Sequence, residues 1–390
     1  MAQISIPLSP SACLRVIAGP FARRRLSEEG LRPEQIVAVA AAAGGPKGLI
    51  LGPIDQYVFG EFLLRASQPV DLIGASIGCW RLAAACCTDP AARLRAFSEA
   101  YIGQDYRIAP GRRRPDPSEV SASFAWGLAH FFGPSLPQLV EHPRYRLHVL
   151  TSLGVGLLGS AAQAGSRALA AAFAAAWVAN AIARRALAGF LRRVVFLPAA
   201  RHTPPGPPRS PPRSPPHPPG IDWRDYPHHQ VELTLANVLP AMQASCSIPM
   251  VLDPVHDIAG APAGPHWDGG LTDYHLHLDY RGLRPGLVLY PHFHPMLIPG
   301  WLDKAWASRH RAGPELDNVV VLAPARDWIA QLPDGRIPDR GDFERFAHDP
   351  RTRMQRWHTV LGHSLALADA LEAFVRDPGC LRVEALEAQG

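Results

Sequence analysis

The sequence predicts an α/β fold in which a central, mostly parallel sheet is flanked by helices. Three observations carry this expectation. Residues 36–43, I-V-A-V-A-A-A-A, are continuously apolar, as in a strand buried on both faces. That run passes directly into Gly44-Gly45-Pro46-Lys47-Gly48 and then into a helical pattern. A second short run, V-D-L-I at residues 70–73, passes through Gly74-Ala75-Ser76-Ile77-Gly78 into an alanine-rich helical stretch. Strand, glycine loop, helix, strand, tight turn, helix is how a parallel sheet begins. Ligands of such sheets bind beyond the carboxyl ends of the strands, so the glycine loop and Ser76 should face one pocket.

Residues 11–35 are polar and arginine-rich and read as a strand or turn and a short helix, an N-terminal extension spanning 1–35. Residues 49–66 read as a helix kinked at Pro53. Residues 89–145 look helical, with breaks at Pro110, Pro115 and Pro134, and residues 146–151 and 194–197 read as strands. Between these strands, residues 168–183 carry no charge. The stretch is shorter than the ~20 residues a membrane span needs, and alanine supplies little hydrophobic drive, so a buried or pocket-covering helix is expected. The Pro-Pro and Arg-Ser repeats at about 202–220 form neither helix nor central strand, and they read as a polyproline-rich insertion within one domain running from 36 to 390. A helix over 233–246, strands at 287–290 and 319–322, and closing helices over 343–376 complete the chain.

Composition narrows the function. The net charge is +5, and the only basic blocks are Arg23-Arg24-Arg25 and Arg112-Arg113-Arg114. These read as solvated faces that suit lipid headgroups better than nucleic acid, and no aromatic-basic interleaving forms a nucleic-acid platform. The six cysteines show neither metal spacing nor a disulfide framework, which fits a reducing compartment. With no secretory signal in M-A-Q-I-S-I-P-L-S-P, a cytoplasmic protein is expected.

G-x-S-x-G between a strand and a helix is the setting of a nucleophile elbow, which presents the serine hydroxyl above a helix N-terminus. A serine needs a base within hydrogen-bond reach and donors for the oxyanion formed on attack. The amides of Gly44, Gly45, Lys47 and Gly48 suit the second task; an ordinary strand-to-helix turn is the plainer alternative. A nucleotide P-loop is disfavoured, because the G-x-x-x-x-G-K-[ST] spacing is absent. Asp268, followed by Gly269 and Gly270, suits the first task, although turn aspartates are common.

Taken together, Gly44-Gly45-Pro46-Lys47-Gly48, Gly74-Ala75-Ser76-Ile77-Gly78 and Asp268-Gly269-Gly270 resemble the motifs of the patatin-like phospholipases, in the same order. Residues 244–249, A-S-C-S-I-P, are similar to the A-S-x-x-x-P run that precedes D-G-G in that family. The resemblance spans roughly residues 36–274. The family loop often begins with one further glycine, where this chain has Ala43, and the proline-rich stretch lies outside the pattern. The resemblance implies a three-layer α/β fold, a lipid acyl hydrolase that needs no cofactor, and a Ser–Asp dyad without histidine. Ser76 would be the nucleophile, Asp268 the proton acceptor, and the Gly44, Gly45, Lys47 and Gly48 amides the oxyanion hole. Lys47 would hold the loop or attract a phosphate. The substrate would be a phospholipid or other acyl-ester lipid, met by peripheral contact with a membrane.

The histidines offer rival expectations. His275 with His277, and His292 with His294, are H-x-H pairs that on a strand would each point to one face, as two metal ligands do. No carboxylate or thiolate lies at a matching spacing, so no metal is expected. The same histidines follow Asp268 in the order of a Ser–Asp–His triad esterase. A lipid-binding protein that keeps the fold without catalysis is the third alternative.

Overall fold

Unbroken runs of valine, isoleucine, leucine and alanine have no polar face to offer water, and the chain hides them in the middle of one sheet. The computed structural model describes residues 9–106, 108, 115–162, 164–199 and 220–386. Its strands are β1 (Leu14–Ala18), β2 (Ile36–Ala41), β3 (Val70–Ala75), β4 (Tyr145–Gly154), β5 (Leu191–Leu197), β6 (His228–Glu232), β7 (His266–Asp268), β8 (Leu287–Pro291), β9 (Val319–Pro324) and β10 (Val383–Ala385). They form one sheet in the order β10-β1-β9-β8-β2-β3-β4-β5-β6, with β7 paired to β4 beside that path. The central strands from β9 to β4 are parallel, while β1, β5 and β7 run antiparallel to their neighbours β9, β4 and β4. Every residue of β3, β8 and β9 is buried. Helices cover both faces, so the architecture is the expected three-layer α/β sandwich with a mostly parallel sheet.

The register of the sheet assembles the site. Ala41 of β2 lies opposite Gly74 of β3, so the glycine loop and the turn at Ser76 leave the sheet at the same edge. Ala75 lies opposite Leu150 of β4, and the next residue of β4, Thr151, lies opposite Asp268 of β7. Residues far apart in sequence therefore reach one point through strand pairing alone.

Several elements differ from the sequence expectation. Within the N-terminal extension expected over 1–35, the described residues 9–35 include β1, which is inserted in the sheet between β9 and β10. The helix expected over 49–66 is four short pieces: 3₁₀ turns at Gly45–Leu51 and Leu63–Arg65, an α-helix at Gly52–Tyr57 and a π-turn at Val58–Phe62. Pro53 lacks an N–H, so it stands in the first turn of the α-helix, where none is required. The helix expected from 233 begins at Val238, because the Asn237 side chain accepts from the Thr234 N–H (2.8 Å) and donates to the Glu232 carbonyl (2.8 Å), fixing a turn. The helix Ser166–Ile182 is neither fully buried nor part of the pocket that Ser76 lines; one of its faces is packed and the other exposed. No helix among the described residues is long and apolar enough to cross a membrane. The proline-rich insertion lies outside the described residues, apart from Gly220.

One ion pair clamps the layer beneath the site. Arg81 donates to both oxygens of Asp55 at 2.6 and 2.8 Å, and the two residues are 3% and 1% exposed. The pair joins the helix Ile77–Ala85 to the helix Gly52–Tyr57. Removing one partner strands a buried charge, so Asp55→Ala should cost about 3–5 kcal/mol. The measurement is the urea midpoint at unchanged m, and an unmoved midpoint would show that the clamp is dispensable.

Candidate active site

β3 ends at Ala75 and the helix Ile77–Ala85 starts at Ile77, leaving one residue to reverse the chain. That residue, Ser76, has φ 54° and ψ −133°, a conformation that side-chain-bearing residues rarely adopt and that costs on the order of 1–3 kcal/mol. The turn is this tight because the helix passes over β2. A Cβ at Gly78 would lie 1.9 Å from the Ala41 carbonyl oxygen, so no other residue fits there. Gly74 sits at the matching place on β3, where a Cβ would lie 2.5 Å from the Cys79 Cα.

Two hydrogen bonds hold the strained serine. Its N–H donates to the Ser245 Oγ at 2.8 Å, and the Ser245 hydroxyl donates to the Leu150 carbonyl at 2.6 Å. Ser76 O–H donates to the Asp268 Oδ2 at 2.7 Å, and the other carboxylate oxygen, Oδ1, accepts from the Gly270 N–H at 2.7 Å. The Gly269 N–H donates to the Ser245 carbonyl at 3.2 Å, and a Cβ on Gly269 would lie 2.2 Å from the Leu150 carbonyl. The glycines after Asp268 thus serve close approach as well as the turn.

The glycine loop lies beside this pair, and Gly45 borders the same pocket as Ser76. In the 3₁₀ turn that starts at Gly45, the i→i−3 pattern commits the amides of Lys47 and Gly48 to the carbonyls of Gly44 and Gly45. Of the expected oxyanion donors, Gly44 and Gly45 therefore keep amides free of that turn. The first-turn N–H of Ile77 is likewise an orphan of its helix.

Ser76 opens onto a cavity of about 190 Å³. Ile77, Val120, Phe124, Ile248 and Phe343 give it apolar walls, and Arg340 and Glu344 bring charges of opposite sign. The Arg340 Nη2 lies 3.8 Å from the Asp268 Oδ2. Burial pushes the Asp268 carboxyl above the ordinary carboxylate range, and Arg340, the Ser76 hydroxyl and the Gly270 N–H pull it part of the way back. Two lysines lie within electrostatic reach of Arg340. The Lys47 ammonium lies 5.4 Å from the centre of the Phe293 ring, and burial lowers its pKa. Lys304 is exposed as a residue, but its ammonium is tucked 4.1 Å from the centre of the Tyr274 ring. Desolvation there, followed by repulsion from Lys47 and Arg340, pulls its pKa down to about 8.

The histidines stand apart from the Ser76–Asp268 pair. They lie in loops after the helix Gly270–Asp273 and after β8, and the close contact is between pairs: the rings of His275 and His292 are 4.3 Å apart. Their Nδ1 atoms accept from the N–H groups of Ile298 (3.1 Å) and His294 (2.9 Å), and burial lowers both pKa values, His292 to about 3. His277 meets Glu315 at 2.9 Å, and His294 accepts from the Met296 N–H at 3.1 Å. No histidine bonds to Asp268 or Ser76 among the described residues. Nor do three or more His, Cys, Asp or Glu side chains gather there as a metal site.

Sequence reasoning did not assign roles to Ser245, Arg340 or Lys304. Ser245 stood inside the A-S-x-x-x-P run and could have been noticed; Arg340 and Lys304 belong to no motif. No protein-family model matches the chain, and no curated protein is similar to it.

Ser245 is wholly buried and bonds to two backbone groups. Ser245→Ala should leave the Ser76 N–H and the Leu150 carbonyl unpaired and destabilise the fold by about 1–3 kcal/mol. Denaturant titration reads this directly, and a loss below about 0.5 kcal/mol would mean that the strained turn holds itself.

Proposed function

We propose that this protein is a patatin-like serine hydrolase that cleaves fatty-acyl esters of phospholipids or related lipids with a Ser–Asp dyad and no cofactor. The observation that carries the proposal is the 2.7 Å hydrogen bond to Asp268 from Ser76, which borders a mostly apolar cavity. An acyl chain suits the apolar walls, and a phosphate suits the field of Lys47, Lys304 and Arg340.

In the first step, the Ser76 Oγ attacks the ester carbonyl carbon while its proton passes to the Asp268 Oδ2. The carbonyl oxygen becomes an oxyanion, and the Gly44, Gly45 and Ile77 amides are the donors that can receive it. Collapse breaks the bond to the alcohol, which leaves with the proton held by Asp268. Water then attacks the acyl-serine, gives its proton to Asp268, and the fatty acid departs as Ser76 recovers its hydrogen. Burial favours this chemistry, since a carboxylate raised above its usual range is a stronger base for a serine proton. Arg340 keeps the same carboxylate from being fully neutralised.

Ser76→Ala and Asp268→Asn should each lower turnover of a short-chain nitrophenyl ester by about three orders of magnitude or more, without loss of fold. Single alanine variants at His275, His277, His292 and His294 should keep turnover within about tenfold of the parent, a far smaller loss than removal of a triad histidine causes. An inactive, folded histidine variant beside an active Asp268→Asn protein would overturn the dyad.

The pH profile gives a second check. The base works only when ionised, so the rate should fall as pH drops through the raised Asp268 pKa, placing the acid limb above the ordinary carboxylate range. Arg340→Met removes the nearest charge that favours ionisation and should move that limb further up in pH. A limb that stays in place would show that Arg340 does not tune the base.

A further inference from the structure

The helix Ser166–Ile182 departs from the pattern of a surface helix. Its inner face, Leu169, Ala172, Ala176 and Asn180, is buried. It packs in a small core with Trp267 and Leu271, the residues on either side of the Asp268-Gly269-Gly270 turn. Its outer face is apolar too: Ala170, Ala171, Ala174, Trp177, Val178 and Ile182 are all exposed. The three largest are 46%, 52% and 80% exposed. A helix that is apolar all round belongs inside a protein or in lipid, and this one is packed on a single side. Trp306 meets Trp177 edge-on at 5.2 Å, and the nearby Trp301 is exposed.

The charges that flank this helix in the sequence are basic. From residue 142 to residue 221 the sequence has no Asp or Glu and ten Arg. Arg167, in the first turn of the helix, and Arg185, just beyond its end, are exposed. An apolar stripe with interfacial tryptophans and flanking arginines matches a lipid surface that carries negative headgroups. A second copy of the chain fits poorly. Two such helices related by a two-fold axis would set the Arg167 of one against the Arg185 of the other, with no acid in the segment to receive either.

We infer that the outer face of Ser166–Ile182 docks this protein on anionic membranes, the helix lying in the plane of the headgroups. It is held to the body and does not insert end-on. Asn180 donates to Asp303 at 2.9 Å, and Arg184 and Arg309 both reach the same carboxylate at 2.7 Å. Docking does not depend on Ser76 chemistry, so the Ser76→Ala protein should bind as the parent does, and failure of either idea leaves the other standing.

The test is co-sedimentation of the full chain with vesicles of phosphatidylcholine alone and of phosphatidylcholine mixed with phosphatidylglycerol. The parent should bind the mixed vesicles and release on raising the salt. Trp177→Glu with Ile182→Glu should weaken binding by about tenfold or more, and Arg185→Gln by about fivefold. Both changes are at exposed positions, and unchanged circular dichroism and melting temperature would show that the fold is intact. As a second readout, brominated acyl chains should quench the parent's tryptophan fluorescence more than that of Trp177→Phe. Equal binding by parent and double variant, or equal binding to neutral and anionic vesicles, would overturn the inference. So would a parent that ignores vesicles and sediments as a dimer which the double substitution splits.

Discussion

Where the helix Ile77–Ala85 crosses β2, the Gly78 Cα sits so close to the Ala41 carbonyl that a Cβ would lie 1.9 Å from the oxygen. That approach sets the rest of the site. The helix can come so near only if the chain reverses within one residue after β3, which forces Ser76 to a positive φ. A residue in that conformation needs its backbone pinned, and Ser245 does so while holding the Leu150 carbonyl of the neighbouring strand. Leu150 in turn faces Gly269, whose missing side chain lets the turn after Asp268 close over β4. The sequence thus uses glycine wherever backbones meet, and the serine and aspartate are brought together by the packing of the sheet.

The electrostatics follow from the same closeness. A buried carboxylate resists ionisation, and two hydrogen-bond donors, Ser76 and Gly270, recover only part of the lost hydration. Arg340, at 3.8 Å, supplies opposite charge without a direct hydrogen bond. Had it formed a bidentate bridge, the carboxylate would have been held as a weak base. The observed balance leaves Asp268 with a raised proton affinity and one oxygen committed to the serine, which suits proton acceptance without help from an imidazole.

Much of this was legible in the sequence, for identifiable reasons. Strand runs such as residues 36–41 are apolar because both faces are covered, and a one-dimensional pattern records that directly. Ser76 was legible because an elbow needs small residues on both sides of it, and Asp268 because glycines follow it. Arg340 and Lys304 were not, since a long charged side chain reaches a site from almost any loop and leaves no spacing behind. The placement of β1 was hidden for a different reason: sheet order is set by long-range pairing, which local composition does not encode. The H-x-H pairs would each share a face only on a strand, and they lie in loops. There His275 meets His292 edge to face, and backbone N–H groups occupy the Nδ1 atoms of His275, His292 and His294.

The helix Ser166–Ile182 shows what hydropathy alone leaves open. Its composition says that water is a poor solvent for it and does not say whether protein or lipid replaces the water. The structure answers for one face, which rests against Trp267 and Leu271. Just beyond its C-terminal end, Arg184 donates 2.8 Å to the Thr272 carbonyl, in the short helix that starts at Gly270, and 2.7 Å to Asp303. The element with the uncovered apolar face is therefore bonded to the segment that carries Asp268. A lipid surface that takes up that face would lie against a helix whose end is bonded to the segment that follows Asp268.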